Sequence, residues 1–154
     1  MTIATELEPV EVRVAEVRPV SSQPDNPLFA AILTEVGSTR GWSVVMRKPE
    51  ADNLSLHLRP IPTGRPMTYT FMAELVRALG GQVVEARITA ADEGTIYASA
   101  TVEGPNGQQI LDARPSDALN LALRTGAPIR VAPEALKGLQ QVDLAGGSPP
   151  IDWV

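Results

Sequence analysis

The chain opens on period-two alternation. Between Glu8 and Arg18, Val10, Val12 and Val14 alternate with Glu11 and Arg13, which predicts a strand with one wet face. Residues 19–27 (PVSSQPDNP) carry the breakers of a loop. Residues 28–36 (LFAAILTEV) read as a buried strand, with Ala30-Ala31 leaving a helix open. Gly37 to Gly41 then predicts a hairpin turn and Trp42 to Met46 its return strand. Strands are also expected at 82–90, 94–103 and 108–113, and a short one at 129–131. Asp92-Glu93-Gly94 reads as the first turn between them, with its acids solvated, and Asn106-Gly107 is a strong signal for the second.

Helical spacing enters between these runs. Pro49 suits a first helical position and Glu50 and Asp52 suit a first turn, where the helix dipole favours anions. A short helix over 49–58 is preferred to a strand, although Leu54, Leu56 and Leu58 also alternate. Residues 59–66 (RPIPTGRP) form an irregular loop. Thr68 is a candidate N-cap for a helix on which Phe71, Met72, Leu75, Val76 and Leu79 recur at helical spacing, and Gly80-Gly81 stop it. Leu119, Ala122 and Leu123 share one face of a helix over 115–125 that Gly126 ends, and Pro133 starts a short helix to about 138. The pattern predicts an α+β fold: one compact domain over 1–140, a mixed or antiparallel sheet, and three to four helices packed on it. Residues 141–154 are expected to form an extended C-terminal arm carrying Trp153. Two segments echo each other: Arg65-Pro66 and Arg114-Pro115 each precede a small polar residue, Thr68 or Ser116, and an apolar helix. The echo is open between an old duplication, with two helix starts facing each other, and the ordinary likeness of strand-turn-helix units.

Composition narrows the chemistry. Hydrophobic residues make up 44% and aromatics only 4%, so a real core is built from Ala, Val, Leu and Ile. The net charge of −5 counts against nonspecific nucleic-acid binding through a broad basic face. There is no cysteine and one histidine, His57, which excludes disulfides, thiolate catalysis and multi-histidine or cysteine metal sites within one chain. The first residues show neither the basic nor the apolar region of a signal peptide, and no run is long enough to span a membrane. A cytoplasmic location is the expectation.

The densest polar cluster is Asp112-Ala113-Arg114-Pro115-Ser116-Asp117. The start of a helix offers unpaired N–H groups that hold an anion, and Arg114 beside it can grip the same phosphate with two N–H bonds. Asp112 and Asp117 can instead hold a divalent cation for phosphodiester hydrolysis. On a structural reading, Ser116 caps its helix and Arg114 pairs with Asp112 or Glu50 to tie sheet to helix. His57 beside its apolar run reads as a packed or half-exposed histidine. Tyr69 could reach the same cleft as Arg65 but reads rather as a surface or interface aromatic, and Trp42 and Trp153 read as packing residues.

The run ILDARPSDALNLALRTGAPIRVAPEAL resembles the bifunctional nuclease domain family. That family's hallmark is matched here by Asp112, Arg114, Pro115, Ser116, Asp117, Ala118, Leu123, Arg124, Pro128 and Ile129. Glu50-Ala51 and Arg65-Pro66 with Thr68 extend the likeness over about residues 28–137. The resemblance implies a compact α+β homodimer that hydrolyses DNA and RNA. The catalytic candidates it carries over are Glu50, Asp112 and Asp117, with Asp112 and Asp117 holding a Mg or Mn ion. The phosphate-binding candidates are Arg65, Arg114, Ser116 and Arg124. One departure stands out: the family's His-Asp pair after the threonine is Tyr69-Thr70 here. Tyrosine, with an ordinary pKa near 10, is a poor base at neutral pH. Arg47-Lys48 replaces a usual glycine and offers a local phosphate patch. The alternative is a non-catalytic dimeric module that binds a protein or a small anionic ligand.

Overall fold

The computed structural model describes residues 7–20 and 24–144. Strands β1 (Val10–Pro19), β2 (Leu28–Glu35) and β3 (Arg40–Arg47) lead into helices α1 (Lys48–Leu58) and α2 (Thr68–Ala78). Strands β4 (Gln82–Asp92), β5 (Thr95–Gly104) and β6 (Gly107–Ala113) precede α3 (Pro115–Thr125), β7 (Ile129–Val131), α4 (Pro133–Leu136) and β8 (Gln140–Asp143). Among the described residues the eight strands form a single sheet in the order β6-β5-β4-β7-β1-β2-β3-β8. Every pair is antiparallel except β4 with β7. Parallel neighbours need a crossover, and the chain between β4 and β7 supplies one through β5, β6 and α3. The architecture is α+β, as the pattern predicts.

The alternation of β1 does what it implies. Val12 and Val14 are buried and Glu11 and Arg13 are exposed. One core fills the space between the sheet and its helices: Val12, Leu33, Trp42, Val44, Ile88 and Ala98 lie against Leu54 of α1, Leu119 and Ala122 of α3 and Ala135 of α4. The β4–β5 turn puts Glu93 and Gly94 at positive φ, 49° and 82°, the geometry of a tight two-residue hairpin. Gly138 is confined by contact, because a Cβ there would stand 2.0 Å from the carbonyl oxygen of Ala91.

Two expectations change, and a third is seen only in part. Thr68 is the first residue of α2, and the cap position is Met67, with no side-chain cap bond. Ser116 is likewise inside α3, whose cap position is Arg114, and it is buried. The expected C-terminal arm starts as a strand, because Gln140–Asp143 pairs with β3; residues 145–154, with Trp153, lie outside the described residues. α2 also departs from the usual amphipathic arrangement. Its one buried residue is Tyr69, while Phe71, Leu75 and Leu79 are exposed. The helix leans on α3 through its Tyr69 and Thr70 side and turns its most apolar stripe outward.

Candidate functional site

The first turns of α1 and α3 and the start of α2 meet in one cluster. Pro115 at the first position of α3 fixes the turn out of β6. This leaves Arg114 at the cap position and Asp117 in the first helical turn, three residues apart and on one side. Arg114 grips Asp117 with two bonds: Nε donates to Oδ2 at 2.8 Å and Nη2 to Oδ1 at 2.9 Å. Its Nη1 donates to Oε1 of Glu50 at 3.1 Å. From the facing helix, the Tyr69 hydroxyl donates to Asp117 Oδ1 at 2.5 Å. The two echoing helix starts therefore do face each other.

A second layer lies behind the first. Asn120 is fully buried, and its Nδ2 donates to the carbonyls of Ser116 and Glu50. Arg124 ties all three helices. Its Nε donates to Thr70 Oγ1 at 3.3 Å, its Nη2 to the Asn53 carbonyl at 2.7 Å, and its Nη1 to the Asn120 carbonyl and Oδ1. The Arg124 guanidinium also sits 5.7 Å from the Tyr69 ring centre, within cation–π range.

Electrostatics follow from this packing. Burial alone raises the Asp117 carboxyl, but bonds from Arg114 and Tyr69 and the Arg114 charge outweigh it and hold the group below its ordinary value. Burial and the Asp117 carboxylate push the Tyr69 phenol far above the range in which it ionises in water. The Arg114 guanidinium is held more firmly protonated by Asp117 and Glu50. Burial lowers Arg124, whose acceptors are all neutral oxygens.

The cluster thus joins Glu50, Arg114, Asp117 and the buried Ser116, with Arg124 behind. Asp112 does not join it. It pairs with Ser99, which pairs with Arg87, and that row faces away from Ala98 and Ala113, which pack into the core under the helices. Asp112 and Asp117 therefore stand on opposite sides of the sheet. Among the described residues no three Asp, Glu or His side chains converge as a metal site. Arg65 lies exposed in the loop before α2. Arg47 donates to Asn26 and Lys48 pairs with Asp52, so both cations of that patch have partners of their own. Trp42 is buried beneath Arg40, as a packing residue.

Sequence reading misjudged one member of the site and missed another. Tyr69 is 6% exposed and holds Asp117, not a surface. Asn120 had a signal, because an amide amid the apolar run Ala118-Leu119-Asn120-Leu121-Ala122 needs a buried partner.

Residues 31–143 match the bifunctional nuclease domain. Uncharacterized proteins from two strains of Mycobacterium tuberculosis are each 35% identical over 123 residues, which cover 79% of this chain and 70% of theirs.

Proposed function

The chain belongs to the bifunctional nuclease domain family, and from that premise we propose that it binds DNA and RNA and hydrolyses their phosphodiester bonds where α1, α2 and α3 meet. The observation that carries this reading is Arg114. Its side chain is 61% exposed, yet Asp117 and Glu50 fix three of its N–H bonds from behind. A guanidinium so held presents its remaining N–H groups outward in one orientation, which suits two-point contact with phosphate. The backbone N–H groups of Ser116 and Asp117, at the start of α3, suit the same anion, and Arg65 supplies a flanking cation.

Hydrolysis also needs a proton acceptor, and neither Tyr69 nor Asp117 is a ready one near neutral pH. Tyr69 is held protonated, and Asp117 is a firmly ionised, doubly bonded carboxylate. Turnover in this reading is therefore slow. Glu50 and Asp117 do not fit a ready-made site for Mg²⁺ or Mn²⁺ while Arg114 neutralises both, and Asp112 is on the other side of the sheet. A divalent cation belongs to the reading only as a co-reactant to be tested.

One observation favours a second reading, a dimeric module that binds a protein or small anion without turnover: the carboxylates of the cluster are satisfied from within. In either reading the homodimer forms through the outward stripe of α2 and edge strand β6. Cleavage of single-stranded DNA and RNA separates the two, with Mg²⁺, Mn²⁺ or EDTA, beside Arg114→Gln and Asp117→Asn proteins whose folding is checked by thermal melts. Cleavage that is lost in folded Arg114→Gln bears out the nuclease. Equal traces in all three preparations sink it and leave the binding module.

A further inference from the structure

A cavity of about 620 Å³ opens on the far side of Arg124 from the Arg114 cluster, between the last turns of α1 and α3 and the outer part of α2. Its polar lining includes His57, Thr70, Glu74, Arg77 and Arg124, with Ala73 and Val76 as apolar floor. That volume lies within the range of small-molecule sites.

The charge in this cavity is unusual for the chain. The half-buried Arg124 has four acceptors, all neutral oxygens, and among the described residues no carboxylate lies within ion-pair distance of it. A partly desolvated cation without an anion is costly, and a bound anion relieves that cost. The last turns of α1, α2 and α3 also line the cavity, and their partial negative charge works against an anion, so the two guanidinium charges must outweigh it. The side chain of Arg77, in the last turn of α2, makes no hydrogen bond or ion pair among the described residues and lines the same space. Glu74 is the acid of the lining and pairs with neither arginine. Two arginines against one glutamate leave a local positive charge on a chain of net charge −5. Thr70 explains why. Its Oγ1 stands 3.3 Å from Arg124 Nε, where an aspartate would neutralise the guanidinium.

We propose that this cavity is a binding site for a small phosphate-bearing ligand, held by Arg77 and Arg124 with His57 and Thr70 beside them. Thr70 is free to donate its own hydroxyl proton to the phosphate while it accepts from Arg124. Burial and the Arg124 charge hold the His57 imidazole below its ordinary value. A bound phosphate, facing His57 together with Glu74, Arg77 and Arg124, draws a proton onto the imidazole. The inference stands apart from phosphodiester hydrolysis, since a phosphate monoester has no diester bond to cleave.

His57 is the chain's one histidine, so its imidazole C–H signals in proton NMR report the cavity directly. The protein is titrated with inorganic phosphate, with adenosine 5′-monophosphate and with adenosine. Saturable shifts are expected with the two anions and not with adenosine. Arg77→Gln, a surface change, should weaken binding about tenfold, and Thr70→Asp should remove it by supplying the missing carboxylate. Thermal melts accompany both variants, and Arg77→Gln decides if Thr70→Asp does not fold. The proposal is overturned by no saturation below about 10 mM of either anion, by adenosine acting as well as its monophosphate, or by equal affinity in Arg77→Gln. A failed nuclease assay beside saturable binding would sink the hydrolytic reading alone.

Discussion

The Tyr69 hydroxyl donates to the Asp117 carboxylate at 2.5 Å across the junction of α2 and α3, and the other face of that contact is the Tyr69 ring against Arg124. One side chain therefore links the exposed arginine cluster to the buried arginine tie. Tyr69→Phe keeps the ring and removes one donor from a charged, partly buried acceptor. We expect a loss of about 1–2 kcal/mol, roughly 2–8 °C in Tm for a chain of this size. Urea and thermal unfolding would measure it. An unchanged midpoint would show that water replaces the hydroxyl without cost.

The same contact makes stability depend on pH. Asp117 is held below its ordinary value in the folded protein. Its contribution is therefore complete above the unfolded value of about 3.9 and is lost as pH falls through the lower folded value. The gap in urea midpoint between wild type and Asp117→Asn should stay constant down to about pH 4 and close below it. A gap that persists at lower pH would mean that Asp117 acts through shape and not through charge.

Much of this was legible in the sequence, for identifiable reasons. Alternation at Val10, Val12 and Val14 specifies a face, and Pro115 and Gly126 bracket α3 through backbone geometry alone. Periodicity does not say which neighbour covers a face. On α2 the stripe of Phe71, Leu75 and Leu79 predicts a helix correctly, yet the residue it buries is Tyr69, two positions away and roughly opposite on the helix. Sheet order was also out of reach, because the insertion of β7 between β4 and β1 depends on a crossover that no local signal encodes. The proximity of Asp112 and Asp117 in sequence suggested one site. A strand end and a helix start separate them across the sheet.

Arg114 and Arg124 are both motif arginines, and the structure gives them opposite expected phenotypes. Arg124 is partly buried and bonds to three helices, so Arg124→Ala leaves several acceptors unmet and should cost about 2–4 kcal/mol. Arg114 is largely exposed, and Arg114→Gln should cost no more than about 1 kcal/mol. The same change should weaken binding of single-stranded DNA. Unfolding curves and a fluorescence-anisotropy titration on both variants check the split. Equal losses of stability would contradict the assignment of Arg114 to nucleic acid alone and of Arg124 to the joint between the helices as well as to the cavity.

The outward face of α2 bears on assembly. Leu79 is 71% exposed, and Phe71 and Leu75 continue its stripe. Beside it a groove of about 320 Å³ runs between α2 and the β5–β6 hairpin, with Leu79 and Leu111 on its walls. β6 ends the sheet, its outer edge has no strand partner among the described residues, and its Leu111, on the helix side, is 46% exposed. An apolar helix face beside an open apolar edge is costly in water and is a template for pairing. A second copy meets both needs at once, since a two-fold axis places β6 against β6 and one α2 stripe against the other. Sedimentation equilibrium should then find a dimer. Leu75→Lys with Leu111→Lys should give a monomer with unchanged far-UV circular dichroism, because neither side chain is in the core. A wild-type monomer at every concentration, or a dimer that survives both lysines, would rule out this face as the interface.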